Sequence, residues 1–208
     1  MKSSIVSIAL VYIVFGATHV LAQTGLEQYY YVQKQKPVEF VPIVSYQTRS
    51  NWYAEARYNY EENNTFSLYA GKTFEGTHKK FNYSFTPILG SVFGEFRGAS
   101  TGVNVAMDLK NLFFSSQAQY TFSPGNPESD FWFSWSELGY EVSPWLYFGL
   151  SMQHTHMLQG NANQLEQGAV VGFSFGKWTV PIYSFSTFSS SRYFVLGINL
   201  GIGSNKKA

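Results

Sequence analysis

The chain has 208 residues, no cysteine and a formal net charge of +1. The lack of cysteine excludes disulfides, thiolate metal sites and a cysteine nucleophile, and the near-neutral charge argues against binding of nucleic acid. Aromatic residues make up 19% of the chain and charged residues only 13%, whereas roughly a quarter of a typical soluble domain is charged. This composition is typical of a protein surface that meets lipid.

The N-terminal residues have the pattern of a secretory signal peptide. Lys2 provides a positive end, residues 5–20 are mostly apolar, and residues 20–22 end in small side chains suited to cleavage before Gln23. The apolar run is too short to be read as a membrane helix. We therefore expect residues 1–22 to be a signal peptide that is removed on export.

Residues 52–60 show a strict alternation of side chains. Apolar and aromatic residues occupy one set of alternate positions, and Glu55 and Arg57 fall in the other set. Because successive side chains of a strand point to opposite faces, this segment predicts a strand with one apolar and one polar side. Similar segments recur as far as residue 202, and none approaches the ~20 apolar residues of a membrane helix. A membrane-compatible chain of this kind is expected to form a closed barrel.

The connections between the segments set the predicted strand count. Tight and longer connections alternate along the chain, as in outer-membrane barrels, where short periplasmic turns alternate with longer outer loops. The predicted fold is an all-β, antiparallel, up-and-down transmembrane barrel of about twelve strands over residues 38–203, with both chain ends in the periplasm. The segments begin at Val38, Trp52, Thr65, Phe81, Ile88, Thr101, Leu112, Phe131, Trp145, Gly168, Trp178 and Tyr193.

Several points of this prediction stay open. If residues 81–96 form one long strand the count falls to about eleven, or to about ten if the segment at Val38 is also outside the wall. Residues 23–37 show no clear period and are expected to be a periplasmic lead-in, and residues 204–208 a disordered tail. A soluble sandwich or lipocalin-like carrier is the rival fold, since its strands also alternate but bury the apolar face inside.

Two segments resemble the strand–turn–strand units of small Gram-negative outer-membrane β-barrel proteins. They are residues 83–90 (YSFTPILG) and 138–150 (LGYEVSPWLYFGL), in which Thr86-Pro87 and Ser143-Pro144 resemble inner turns. The last segment, residues 193–202, resembles the C-terminal assembly signal of such barrels, although it lacks a terminal aromatic residue. The resemblance implies an outer-membrane location and a contact with the barrel-assembly machinery. Its twelve-stranded members include narrow solute channels and lipid-cleaving enzymes, and fold alone does not separate these functions.

The candidate functional site is the set of polar side chains that the alternation turns inward. Ionisable groups at membrane depth usually face the interior and pair with one another. They predict a constriction that selects solutes, or alternatively a structural network that fills and closes the lumen. Because carboxylates outnumber the one arginine, small neutral or weakly cationic solutes are the expected cargo. The predicted lumen residues are Glu55, Arg57, Glu95, Asn104, Asp108 and Glu137.

Two other groups of residues have the side chains of a metal site or a hydrolase site. His154 and His156 share a face and could bind a metal, but their phase points outward and no third ligand is near, so no metal or cofactor is predicted. Ser134 and Ser136 lie on the lipid face of the strand before His154, and no motif supplies the positioned base and orienting group that a hydrolase needs. No catalytic residue is therefore predicted.

The sequence thus predicts a porin-like outer-membrane protein in contact with lipid and small solutes, with no nucleic-acid partner. The alternatives are a closed barrel that is structural or binds a partner, with residues 29–31 (YYY) as one contact, and an outer-membrane lipid hydrolase.

Overall fold

The computed structural model describes residues 23–158 and 162–203, so the expected signal peptide and C-terminal tail lie outside the described residues. A single turn of 3-10 helix spans Pro127–Ser129. No helix within the described ranges is long and apolar enough to cross a membrane. The strands are β1 Gln23–Gln33, β2 Glu39–Gln47, β3 Trp52–Tyr58, β4 Thr65–Lys72, β5 Phe74–His78, β6 Phe81–Gly94, β7 Gly98–Leu109, β8 Leu112–Phe122, β9 Phe131–Ser143, β10 Leu146–Met157, β11 Ala162–Phe175, β12 Trp178–Phe185 and β13 Tyr193–Ile202.

Twelve of these strands form a closed antiparallel ring. Each strand pairs with its neighbours in the chain, β4 pairs with β6, and β1 closes the ring by pairing with β13 along nearly its whole length. The remaining strand, β5, pairs only with β6 and lies outside the ring. The predicted all-β transmembrane barrel of about twelve strands is confirmed.

The predicted count is right because two errors offset each other. Residues 23–33 are not a lead-in but strand β1 of the wall. The alternation of these residues is hard to see in the sequence because tyrosines occupy both faces of the strand. Tyr29 is buried in the lumen, while Tyr30 points outward and stacks on Phe40, with 5.1 Å between the ring centroids. The predicted turn at Thr86-Pro87 is also wrong, because β6 runs straight through it as one long strand.

Strand β5 continues the line of β4. Gly71 lies opposite Ile88 and Phe74 lies opposite Phe85, so both strands keep one register on β6. The pairing lapses where the chain passes Pro87, whose ring removes the amide hydrogen that a ladder needs. β3 pairs with β4 only as far as Lys72, and β5 therefore extends the wall beyond β3 on this side.

The connections separate the two ends of the barrel. The short-turn end carries residues 48–51, 79–80, 110–111, 144–145 and 176–177 together with both ends of the described chain. The long-loop end carries residues 34–38, 59–64, 95–97, 123–130, Leu158 and 186–192. Strand β1 starts at the short-turn end, so the connection between β2 and β3, residues 48–51, lies at that end as well.

The outward face is apolar and the inward face is mixed. Along β10, Phe148 and Leu150 are 49% and 67% exposed, whereas Ser151 and Gln153 on the other face are buried. The same division holds on β13, where Phe194 is exposed and its neighbours are buried. A soluble barrel has the opposite arrangement, so the outward face is suited to lipid.

Gly94 ends β6 with a backbone that suits only glycine. Its φ is +127°, and a Cβ at this position would lie 2.2 Å from the carbonyl oxygen of Asn64. We predict that Gly94→Ala lowers the free energy of unfolding by about 2–4 kcal/mol. Gly125→Ala is the matched control, because Gly125 also has a positive φ but nothing within 4 Å of the added Cβ; it should cost about 1 kcal/mol. Urea unfolding of the refolded barrels measures both, and equal losses would contradict the clash.

Candidate functional site

The half of the lumen near the long-loop end is filled with side chains. Phe185 and Val195 are 0% exposed although they point into the barrel, and Val41, Ile43, Val170 and Tyr193 are also buried. Trp135 lies in the middle of this packing, with its ring 5.1 Å from Tyr29, 5.2 Å from Tyr183 and 6.1 Å from Phe185. Side chains lining a water-filled channel would be exposed to the water. This part of the lumen, hereafter the packed half, is therefore closed in the described conformation.

Arg57 is the charged centre of the packed half. Its side chain is 0% exposed, and its Nε donates to Glu55 while its Nη1 donates to Gln119 at 2.6 Å. The guanidinium carbon also lies 4.3 Å and 4.4 Å from the ring centroids of Tyr60 and Tyr69. A buried charge is tolerated only when it is paired and hydrogen-bonded. The predicted inward position of Glu55 and Arg57 agrees with these contacts.

Tyr60 and Glu61 enter the packed half from the connection between β3 and β4. The carboxylate of Glu61 lies 3.6 Å from Nη1 of Arg57, and its side chain is 0% exposed. Burial raises the pKa of the Tyr60 phenol well above its usual value, an effect that the nearby Arg57 charge offsets only in part. Tyr60 therefore stays a neutral hydrogen-bond donor.

The other half of the lumen is an open cavity of about 1440 Å³ that extends from the packed half towards the short-turn end. Its deep wall includes Tyr29, Trp135 and Tyr183, and its outer wall includes residues of the turns, such as Lys110 and Gly176. The described residues that line it carry five carboxylates and one cation. They are Glu27, Glu75, Asp108, Glu137 and Glu141, with Lys110 as the cation.

Two carboxylates mark the boundary between the open cavity and the packed half. Glu137 accepts a hydrogen bond of 2.9 Å from the Tyr183 hydroxyl, and Glu27 accepts one of 2.7 Å from the Tyr29 hydroxyl. Trp135 donates from its indole nitrogen to Ser151 at 2.8 Å. Each aromatic side chain of the boundary is thus fixed by a polar partner.

The predicted lumen residues fall into three places. Glu55 and Arg57 lie in the packed half, and Glu137 lies at its boundary. Asn104 and Asp108 line the open cavity. Glu95 is exposed in the connection between β6 and β7, because β6 already ends at Gly94, and it does not line the open cavity.

The sequence did not single out several lumen residues as a site. Glu27 and Tyr29 were missed because β1 was read as a lead-in. Tyr60 was missed because residues 52–60 were read as one strand with Tyr60 on its apolar face, whereas β3 ends at Tyr58. Glu61 follows in the connection and was not assigned to the lumen. Gln119, which reaches Arg57 from across the lumen, carried no signal beyond its inward phase.

The outward histidines and serines do not assemble a catalytic triad. His154 Nε2 lies 2.6 Å from Asn163 Oδ1, while Ser136 shares a 2.9 Å hydrogen bond with Ser116. Ser134 is paired with His154 in the β9–β10 register, with no hydrogen bond between their side chains. Over the ranges that the structure covers, no three His, Asp or Glu side chains are grouped to hold a metal ion.

Comparisons with known proteins identify the class of fold. No family model and no curated protein matches the chain. Among solved structures it is similar to the KdgM porin, seen alone and in complex with disordered oligogalacturonate, with a TM-score of 0.62 and 9% sequence identity over 85% of this chain and 98% of that one. It is also similar to the NanC porin, with a TM-score of 0.60 and 11% identity over 84% and 97% of the two chains. The fold is that of an outer-membrane barrel of the porin kind, and the identities are too low to assign a particular family.

The pairing of Arg57 has a measurable consequence. Arg57→Ala leaves Glu55 and Glu61 buried without their cation, and breaking a buried pair in this way costs about 3–5 kcal/mol. We predict a loss of that size in the free energy of unfolding of the refolded barrel in urea. Arg97→Ala removes an exposed arginine and should change the free energy by less than about 0.5 kcal/mol. A loss below about 1 kcal/mol for Arg57→Ala would contradict the described network.

Proposed function

We propose that the protein is a narrow outer-membrane channel for small neutral or weakly cationic solutes, closed in the described conformation by the packed half of its lumen. The observation that carries the proposal is the open cavity of about 1440 Å³ inside a ring like that of two porins. The cavity supplies the first half of a path along the barrel axis. The barrier that remains consists of side chains and one connection, which can rearrange without breaking the ring of strands.

The proposed orientation follows from the two ends of the barrel. In outer-membrane barrels short turns face the periplasm and longer loops face outward. The short-turn end, with both ends of the described chain, is accordingly assigned to the periplasm, and the open cavity then faces the periplasm. The expected signal peptide supports export to that compartment.

The charge of the open cavity supports the proposed preference for solutes. Five carboxylates against one lysine give the lining a negative balance, which attracts cations and repels anions inside a low-dielectric wall. The KdgM structure contains oligogalacturonate, whose name denotes a carboxylate anion. The negative lining of the open cavity would repel such an anion, so anionic sugars are not expected as solutes.

A second candidate function is a permanently closed barrel that binds a partner. The observation in its favour is the completeness of the packed half, in which Phe185, Val195 and Thr121 are 0% exposed. It differs from the first proposal in that removal of packing residues would not produce conduction.

Removal of Trp135, the central aromatic side chain of the packed half, should open the lumen to ions. Trp135→Ala takes away the indole that contacts Tyr29, Tyr183 and Phe185. In planar bilayers we expect small or infrequent openings of the wild type and at least several-fold more conductance of the variant. Trp132→Ala, which removes an outward tryptophan of the same strand, should behave as the wild type. Sealed bilayers with both folded proteins at all voltages would reject the channel and favour the partner-binding barrel.

The selectivity should depend on the carboxylates of the open cavity. Glu137→Gln with Asp108→Asn removes two carboxyl groups from the lining, so the preference for cations should fall. The measurement is the reversal potential under a potassium chloride gradient, which should move towards zero. Glu95→Gln removes an exposed charge outside the open cavity and should leave the potential unchanged. An unchanged potential in the double variant would contradict the role of these carboxylates.

A further inference from the structure

The connection between β3 and β4, residues 59–64, crosses the lumen. Tyr60 donates a hydrogen bond of 2.8 Å to Gln117 on β8, and its ring meets the ring of Phe133 on β9 edge-on at 5.5 Å. β8 and β9 belong to a different part of the ring from β3 and β4. The connection therefore bridges two separated parts of the wall, although it begins and ends on adjacent strands.

Glu61 holds this connection inside the barrel. Its carboxylate accepts hydrogen bonds from Ser67 at 2.7 Å and from Tyr69 at 2.8 Å, both on β4. It also accepts a 3.4 Å hydrogen bond from Gln119 and lies 3.6 Å from Arg57. One loop side chain thus joins β3, β4 and β8 through charge-assisted contacts. These contacts exist only while the loop is folded inward.

The base of the connection is a closed turn. Asn59 and Asn64 have positive φ values of 56° and 54°, which asparagine tolerates better than most residues. The Asn64 amide donates to the Asn59 side chain at 2.8 Å, and the Asn59 side chain donates to the carbonyl of Phe40 at 3.1 Å. The two ends of the loop are thereby tied together and to β2, which gives residues 60–63 a fixed base from which to move.

With the connection folded into the lumen, one buried hydrogen-bond donor has no acceptor in the described part of the chain. Nη2 of Arg57 is buried and finds no hydrogen-bond acceptor among the described residues. A buried charged donor left without an acceptor costs free energy, so the folded-in loop is held by a net gain smaller than its contacts suggest. The connection of residues 59–64 is therefore suited to moving out of the lumen as well as folding into it.

We propose that residues 59–64 are the gate of the channel and that Glu61 is its latch, which holds the lumen closed by binding Arg57, Ser67 and Tyr69. This inference rests on the proposed function. In the closed state Glu55 and Glu61 both face Arg57. When the loop swings towards the long-loop end, Glu61 and Tyr60 leave together, and Arg57 stays in the wall with Glu55 as a neutral pair. The opened passage then keeps the negative balance of the cavity below it.

The test uses cysteine accessibility, because the natural chain has no cysteine and therefore no background. Thr121→Cys places one thiol on an inward position of β8 that is 0% exposed. In the folded, detergent-solubilised barrel we expect a charged methanethiosulfonate reagent to label it slowly. Adding Glu61→Gln removes the latch charge at nearly constant shape and should raise the labelling rate at least tenfold. Glu62→Gln changes the same charge on an exposed neighbour in the same loop and should leave the rate unchanged.

A second variant guards against misfolding of the first. Tyr60→Ala removes the contacts with Gln117 and Phe133 and should also raise the labelling rate, whereas Phe66→Ala, on the outward face of β4, should not. Folding of every variant is checked by its heat-modifiable migration on gels. Folded Glu61→Gln and Tyr60→Ala barrels that label at the wild-type rate would overturn the gate.

Bilayer recordings of the same variants separate the two proposals. Faster labelling together with raised conductance supports both the gate and the channel. Faster labelling with silent bilayers supports the movable loop and counts against conduction. Equal conductance of the wild type, Glu61→Gln and Glu62→Gln leaves the channel standing and rejects the latch.

Discussion

The structure depends on one constraint, which is that every strand of the wall has a hydrogen-bonded neighbour on both sides. In a membrane the edge of an open sheet would expose unpaired amide and carbonyl groups to hydrocarbon, at several kcal/mol for each group. The pairing of β1 with β13 removes that edge, and it does so with ten consecutive residue pairs from Thr24–Ile202 to Gln33–Tyr193. Everything inside the barrel, including the packed half and the open cavity, exists because this seam closes the ring.

Closure of a ring of this size leaves more space than side chains on one face of the wall fill by themselves. Near the long-loop end, large aromatic residues of β1, β9, β12 and β13 occupy the space, and the connection between β3 and β4 supplies Tyr60 and Glu61 to complete it. Near the short-turn end the inward residues include small or polar ones such as Ser84, Ala106 and Ser115, and the space stays open. The difference in side-chain volume along the axis is what divides the lumen.

The sequence predicted most of the wall but only part of the site. Residues 146–153 alternate so regularly that both faces of β10 follow from the period of a strand. The tyrosines at 29–31 obscured the same period, since a phenol suits a lumen as well as a lipid interface. Thr86-Pro87 was read as a turn because the pair resembles the inner turns of small barrels, yet the wall accepts Pro87 where the ladder lapses between β4 and β5. Arg57 and Glu55 could be placed from phase alone, whereas the fold of a connection back into the barrel is a tertiary event, and so Glu61 could not.

The extension of the wall by β5 makes the barrel taller on one side than on the other. β5 adds five residues, or on the order of 17 Å of extended chain, beyond the point where β3 stops. Glu75 on this extension and Asp108 on β7 both line the cavity. The mouth at the short-turn end is consequently oblique, and its aperture faces sideways as well as along the barrel axis. Under the proposed function, a solute arriving there first meets the wall of β5, β6 and β7 rather than a complete rim. Sieving by size then begins deeper in the barrel, where the full circumference is present.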